Sequence, residues 1–323
     1  MQKITSKHAS TSLIITCFNY EQYVTSAITS ALNQSHPFDE IIVIDDCSTD
    51  NSVKIIQDAI QNIATAQLIT FEKNLGQLAA FQIGFNKSRC ELIFFLDADD
   101  IFHVDHCLTI LKAAEQHPDA DFLYSNHTVF TDSEFFEWRK KNDNAEQTSS
   151  SIDLGCSAVS TLLTRQYIGA PTSCLALKRQ LLSTILNFPC EMFPDWRTRA
   201  DDCLVFGASL AGSKKLAISA ITVGYRKHEH NALLGNHKIG NSRTVFQRQI
   251  SLVRLWRYFF QEFRYDKSLI DSAYLEFKTI PKPTFNQFLF YLNTIVRYGS
   301  GNVSRIRSIG VIVKHFIHKG PQI

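Results

Sequence analysis

The residues with the clearest chemistry are the aspartates of Asp97-Ala98-Asp99-Asp100, directly after the apolar run Leu92-Ile93-Phe94-Phe95-Leu96. Carboxylates at i and i+2 can share one hard divalent cation. Mg²⁺ and Mn²⁺ prefer oxygen ligands and keep other positions for water and substrate phosphates. An Asp-x-Asp occurs by chance in many chains, and its position at the end of a buried strand is what gives it weight here. A second acidic pair, Asp45-Asp46, closes the apolar run Ile41-Ile42-Val43-Ile44. A carboxylate at a strand end is placed to accept from a base N–H or a ribose hydroxyl. Ser48-Thr49-Asp50 beyond it also reads as a helix cap. A third pair, Asp201-Asp202, opens a helical stretch, where negative charge suits the helix N-terminus. Neither a Gly-x-Gly-x-x-Gly nor a P-loop pattern occurs, so glycine-rich phosphate cradles are disfavoured.

These residues need a scaffold that brings them to one edge. Strands are predicted at 13–16, 41–44, 67–71 and 92–96, alternating with helices at 20–32, 52–61 and 76–88. Fully apolar strands separated by helices imply an α/β fold with a mixed, mostly parallel sheet flanked by helices. Ligands of such sheets bind beyond the strands' carboxyl ends. That rule gathers Asn19, Asp45, Asp46 and Asp97–Asp100 on one rim. Further on, the pattern predicts a helix at 104–115, a strand at 122–124 and a polar excursion at 133–151. Helices follow at 157–164, 178–186 and 200–211, with an extended segment at 172–177 and a last strand at 218–225. From about residue 242 the chain reads as helical, basic and aromatic.

Composition is that of a globular protein: 323 residues, 45% hydrophobic and 20% charged. The net charge of +2 hides an asymmetry, because residues 241–323 hold 13 Lys/Arg against 4 Asp/Glu. Arg243, Arg248, Arg254, Arg257 and Arg264 interleave with Leu, Trp and Phe. Such a segment suits an anionic membrane face, and equally a helical cap or a homodimer contact. The acidic remainder argues against nucleic acid as a partner. Eight cysteines without a Cys-x-x-Cys pair read as small buried hydrophobes in a reducing compartment. With no apolar leader and no membrane span, a cytoplasmic location is expected, peripheral on the inner face of the membrane if the basic segment binds lipid. His103, His106 and His117 read as surface or helix-end residues. Phe193-Pro194-Asp195-Trp196 suits either an acceptor pocket or packing.

Six blocks in order resemble family-two glycosyltransferases of the GT-A fold, of the bacterial surface-polysaccharide type. They are Leu13–Glu21, Val43–Asp50, Asn74–Gly84, Phe95–Asp100, Arg199–Leu204 and Tyr225–Asn231. The resemblance covers roughly residues 10–232. It implies a GT-A domain over 1–235, a basic, mainly helical region over 236–323, and the following site. Thr16, Phe18 and Asn19 would lie beside the nucleobase and ribose, with Phe18 stacked on the base. Asp46, or failing it Asp45, would accept from the uracil ring, and Asn74 and Gly76 would shape the nucleotide pocket. Asp97 would face the ribose and Asp99 would bind the metal, Asp97 and His228 lying near it. Asp202 would be the general base, with Asp201 as the fallback, and Arg226 would add positive charge. Thr16 stands where the family usually has Pro, and Asp201-Asp202 where it has Glu-Asp.

The implied activity is an inverting, metal-dependent sugar transfer, with Mn²⁺ or Mg²⁺ as the cofactor. The donor would be a nucleotide-diphosphate sugar, UDP favoured, and the acceptor a hydroxyl of a glycan or lipid-linked oligosaccharide. Two other functions fit the same acidic α/β pattern. One is a non-catalytic sugar-nucleotide or glycan-binding module. The other is a nucleotidyltransferase, against which the lack of a Gly-rich, basic N-terminal loop counts.

Overall fold

The computed structural model describes residues 8–134, 150–228 and 242–321. The first layer to form the site is a parallel sheet. Strand β1 (Thr11–Cys17) pairs in parallel with β2 (Glu40–Asp45) on one side and β4 (Leu92–Asp97) on the other, and β2 pairs with β3 (Ala66–Thr70). Helices α1 (Val24–Leu32), α2 (Ser52–Ile60) and α3 (Gln77–Lys87) make the crossovers. β1 and most of β4 are buried, which is why their sequences are apolar throughout rather than alternating.

The chain steps from β1 to β2 and β3 in one direction, then returns to β4 on the opposite side of β1. This reversal opens a crevice beyond the carboxyl ends of β1 and β4. The register places Thr16 opposite both Ile44 and Asp97, and Cys17 opposite Asp45. Strand ends far apart in sequence are therefore delivered side by side.

After β5 (Ile101–Phe102) and α4 (His106–Gln116), the sheet continues with β6 (Phe122–Phe130), β7 (Ser151–Gly155), β8 (Leu175–Lys178) and β9 (Lys215–Arg226). Among the described residues the order is β3-β2-β1-β4-β8-β6-β9-β5, with β7 also on β9. β8 is antiparallel to both β4 and β6, whereas β6 and β9 are parallel. Helices α5 (Ala158–Thr164), α6 (Arg179–Ile185) and α7 (Asp201–Leu210) complete the layer.

The C-terminal part is helical, as expected: α8 (Ser242–Glu262), α9 (Ala273–Thr279), α10 (Phe285–Tyr298) and α11 (Asn302–Lys319). By packing, α8 belongs to the main core, into which it inserts Leu255 and Phe259. A second apolar cluster joins Val159 of α5 to Ala273, Phe277, Tyr291, Ile295 and Ile312. Phe263, just after α8, also packs against the main core.

Several expectations need correction. β6 and β9 run well past 122–124 and 218–225, because each pairs along most of its length. β5 and β7 were not foreseen, being two residues long and half-buried respectively. His103 and His106 are buried, so the surface reading fails for them, while the helix-end reading holds, since they stand just before and at the start of α4. His106 stacks on Phe102 with centroids 4.0 Å apart, and its Nδ1 lies 2.7 Å from the Thr222 hydroxyl. Most of the 133–151 excursion, together with Glu229, His230 and Asn231, lies outside the described residues.

Candidate active site

A cleft of about 340 Å³ opens at the crevice. Thr16, Phe18, Asp46, Asn74, Asp97, Asp99 and Asp201 line it, seven of the residues singled out from sequence. Phe18 projects from the end of β1 and is 42% exposed, an uncommon state for a phenyl ring beside a cleft.

The loop after β2 is held by Asp46. Its two carboxylate oxygens accept from the backbone N–H groups of Leu75 (2.6 Å) and Gly76 (2.8 Å). Burial pushes this carboxyl above its ordinary value, while those two N–H donors pull the other way. Gly76 has φ +91°, and a Cβ there would stand 2.6 Å from the Arg197 Cα. Glycine is therefore required where the 74–77 loop meets the 197–200 loop. Asn74 accepts from the Arg197 guanidinium at 2.6 Å.

Asn19, Asp45, Gly76, Asp202 and His228 are not part of the cleft wall. Asn19 sits in the left-handed region at φ +56° and accepts from Thr49 N at 2.8 Å, closing the turn below Phe18. Asp45 is buried and accepts from Ser48 N at 2.9 Å. Both support the rim from beneath.

Asp97, Asp99 and Asp100 bring carboxylate oxygens within 4.8 Å of one another. Asp97 Oδ1 accepts from Thr16 (3.2 Å) and Gln77 (2.8 Å). Burial, followed by the charges of Asp99 and Asp201, pushes the Asp97 carboxyl up to about 7. Burial, followed by the charges of Asp99 and Asp97, also raises Asp100 well above the ordinary range. Asp100 accepts from Ser173 Oγ at 2.6 Å and Arg226 N at 2.9 Å. An all-oxygen set whose members repel one another fits a hard divalent cation, which would relieve that repulsion. His228 Nε2 lies 2.9 Å from Asp99 Oδ2, and its ring stacks on Tyr23. Arg226 is drawn into the framework: it donates to the Asp99 carbonyl, pairs with Asp132 and lies over the Tyr23 and Phe130 rings.

The two aspartates that open α7 face different surroundings. Asp201 reaches the cleft, where the Tyr167 hydroxyl lies 2.7 Å from its Oδ2 and 2.9 Å from the Ala170 carbonyl. Burial and the adjacent Asp202 raise the Asp201 carboxyl. Asp202 is 0% exposed. Arg248 of α8 donates to it at 3.0 Å, and the Arg199 guanidinium lies 3.9 Å away.

Sequence reasoning gave no role to Gln77, Tyr20, Tyr225, Thr172, Arg197 or Arg199, all of which line the cleft. Gln77 spans it, donating to Asp97 and accepting from Ala200 N at 2.9 Å. Its place directly after Gly76 in the third block was the available signal. Trp196 is buried in the main core, which resolves that motif toward packing.

Comparison with known proteins bears on this geometry. The Glycosyl transferase family 2 profile matches residues 12–185. The chain belongs to glycosyltransferase family 2. It is 30% identical over 236 residues to an uncharacterized glycosyltransferase of Nostoc sp., spanning 73% of this chain and 69% of that protein. Bacillus subtilis TuaG, named for teichuronic acid biosynthesis, is 32% identical over 94 residues, which is 29% of this chain and 37% of TuaG. Among solved structures, S. aureus TarS 1–349 in complex with UDP-GlcNAc superposes with a TM-score of 0.51 at 14% identity, covering 96% of this chain and 73% of that one. That likeness establishes the GT-A fold.

Proposed function

We propose that this glycosyltransferase moves a sugar from a UDP-sugar to a hydroxyl of a surface glycan or its lipid-linked precursor, with inversion at the anomeric carbon. One observation carries the reading: Asp97 and Asp99, from β4 and the turn after it, and Asp201, from the head of α7, line a single cleft. The UDP-GlcNAc complex of TarS and the naming of TuaG support the donor class and the acceptor class.

In this reading Phe18 stacks on the base and Asp46 with Asn74 lines the nucleoside end. Asp97 and Asp99, with Asp100 behind them, would hold the divalent cation, Mn²⁺ or Mg²⁺. When bound, the cation neutralises the diphosphate and stabilises it as a leaving group. His228 orients the Asp99 carboxylate. The bond from the anomeric carbon to the β-phosphate oxygen breaks as the acceptor oxygen bonds to the opposite face of that carbon, with oxocarbenium character between. The acceptor proton passes to a carboxylate. Asp201 is the base in this reading, since it lines the cleft and its raised basicity suits the task. Asp202, the residue implied by the family resemblance, lies behind it and holds Arg199 and Arg248.

The test is release of nucleoside diphosphate from a panel of UDP-, GDP- and dTDP-sugars with Mn²⁺, beginning with UDP-GlcNAc. A UDP-sugar should be turned over, slowly onto water and faster with a glycan acceptor. No release from any donor, by protein shown to be folded, would contradict the reading.

A further inference from the structure

A second surface lies away from the cleft, on the C-terminal helical hairpin. From Phe277 to the end of the chain there is no Asp or Glu, while Lys278, Lys282, Arg297, Arg305, Arg307, Lys314 and Lys319 occur. Helix α10 repeats Phe285, Leu289, Leu292 and Val296 at i, i+4, i+7 and i+11, which puts all four on one face. Three of them are exposed: Phe285, Leu289 and Val296. On α11, Val303, Ile306 and Ile317 are 83%, 72% and 73% exposed. Helical periodicity sets Arg307 and Lys314 in the same outward sector. The inward residues Tyr291, Ile295 and Ile312 build the hairpin's core. Of the outward groups, Phe285 also meets Phe288 and Phe316 at ring-centroid distances of 6.1 and 6.2 Å while remaining 56% exposed.

Exposed apolar groups on both helices, interspersed with cations, call for an occupant. A second copy packed face to face would set one acid-free basic surface against another. An anionic bilayer presents the opposite charge and an apolar layer beneath it. We propose that the outer face of α10 and α11 docks on an anionic lipid surface, a conclusion independent of the transfer reaction. α11 lies in the plane of the interface, with Val303, Ile306 and Ile317 below the headgroups and Arg307 and Lys314 at the level of the lipid phosphates. Among the described residues no helix is long and apolar enough to cross a membrane, so the contact is peripheral. The geometry narrows the basic segment expected from sequence. On α8, Arg248 and Arg254 are engaged by Asp202 and Asp195, and Leu255 and Phe259 face the main core. α8 also exposes Val245, Phe246, Ile250 and Val253, so the hairpin is singled out by its acid-free charge and not by exclusion of α8.

The experiment is co-sedimentation of the full chain with phosphatidylglycerol–phosphatidylcholine vesicles and with pure phosphatidylcholine vesicles at low salt. Two variants accompany it: Arg307→Glu with Lys314→Glu, and Val303→Ser with Ile306→Ser and Ile317→Ser. All five positions are exposed, so thermal midpoints should match wild type. Wild type should pellet with the anionic vesicles and not with the neutral ones. The charge reversal should lower partitioning about tenfold or more, and the serine variant should lower it too. Failure to pellet with anionic vesicles would overturn the proposal. So would variants that pellet like wild type, or light scattering that shows a dimer dispersed by the serine variant.

Discussion

Asp201 and Asp202 are adjacent in the chain, yet one meets the cleft and the other meets two arginines. Changing Asp201 to Asn should lower kcat roughly 10²–10⁴-fold, the usual worth of a positioned base, and leave the donor KM nearly unchanged. Asp202→Asn should cost less in kcat and more in stability, because it leaves Arg199 and Arg248 without their shared carboxylate. Steady-state nucleoside diphosphate release by the two variants checks the order, and a larger kcat loss for Asp202→Asn would return the base to that residue. The acid cluster gives a second prediction. Burial and the charges of Asp99 and Asp201 push the Asp97 carboxyl up to about 7 from its ordinary 3.8, so the folded state holds that proton more tightly. Stability from this group is present below the ordinary value and is lost as pH rises through about 7. A bound cation takes the proton's place. Mn²⁺ should therefore raise the thermal midpoint more at pH 8 than at pH 5, and an equal rise at both would count against the cluster as its site.

The elements explain why some of the site was legible in the sequence and some was not. β1, β2 and β4 announce themselves as apolar runs that end in polar residues, because strands buried on both faces have no other pattern available. Asp46, Asp97 and Asp99 could therefore be located without coordinates. Gln77 had only its place after Gly76 as a signal, and the parts played by Arg197 and Arg199 had none in periodicity. Their roles arise from the meeting of the 74–77 and 197–200 loops, over 100 positions apart, and periodicity carries no trace of such a contact. Gly76 marks that junction. Gly76→Ala should cost about 1–3 kcal/mol, since it adds a Cβ both to a left-handed residue and against the Arg197 backbone. A lower thermal midpoint together with weakened UDP binding checks this. A fully stable variant would show that the loops part readily.

Among the described residues a main apolar core is joined by a smaller one in the C-terminal part, and a buried carboxylate pins the latter together. Glu276 of α9 accepts from Val159 N at 2.6 Å, Ser160 N at 2.9 Å and the Tyr291 hydroxyl at 2.6 Å. It fastens the hairpin to the start of α5. Glu276→Ala should destabilise by about 2–3 kcal/mol, the cost of leaving buried donors unpaired. Hydrogen exchange should show protection lost first in α9–α11 and retained in β1 and β4. Uniform loss across both regions would mean that the cores unfold together. The sequence announced this region only as basic and helical. Which helices joined the main core depended on Leu255 and Phe259 finding partners on distant elements, which charge and period do not reveal.

The central claim is that a diphosphate and a divalent cation meet at Asp99 in this cleft. Calorimetric titration of UDP, with Mn²⁺ and with chelator, in wild type and Asp99→Asn, tests it most directly. Mn²⁺ should strengthen UDP binding at least about tenfold in wild type, and the variant should lose that coupling while staying folded. UDP binding that ignores the metal, or coupling that survives in Asp99→Asn, would contradict it.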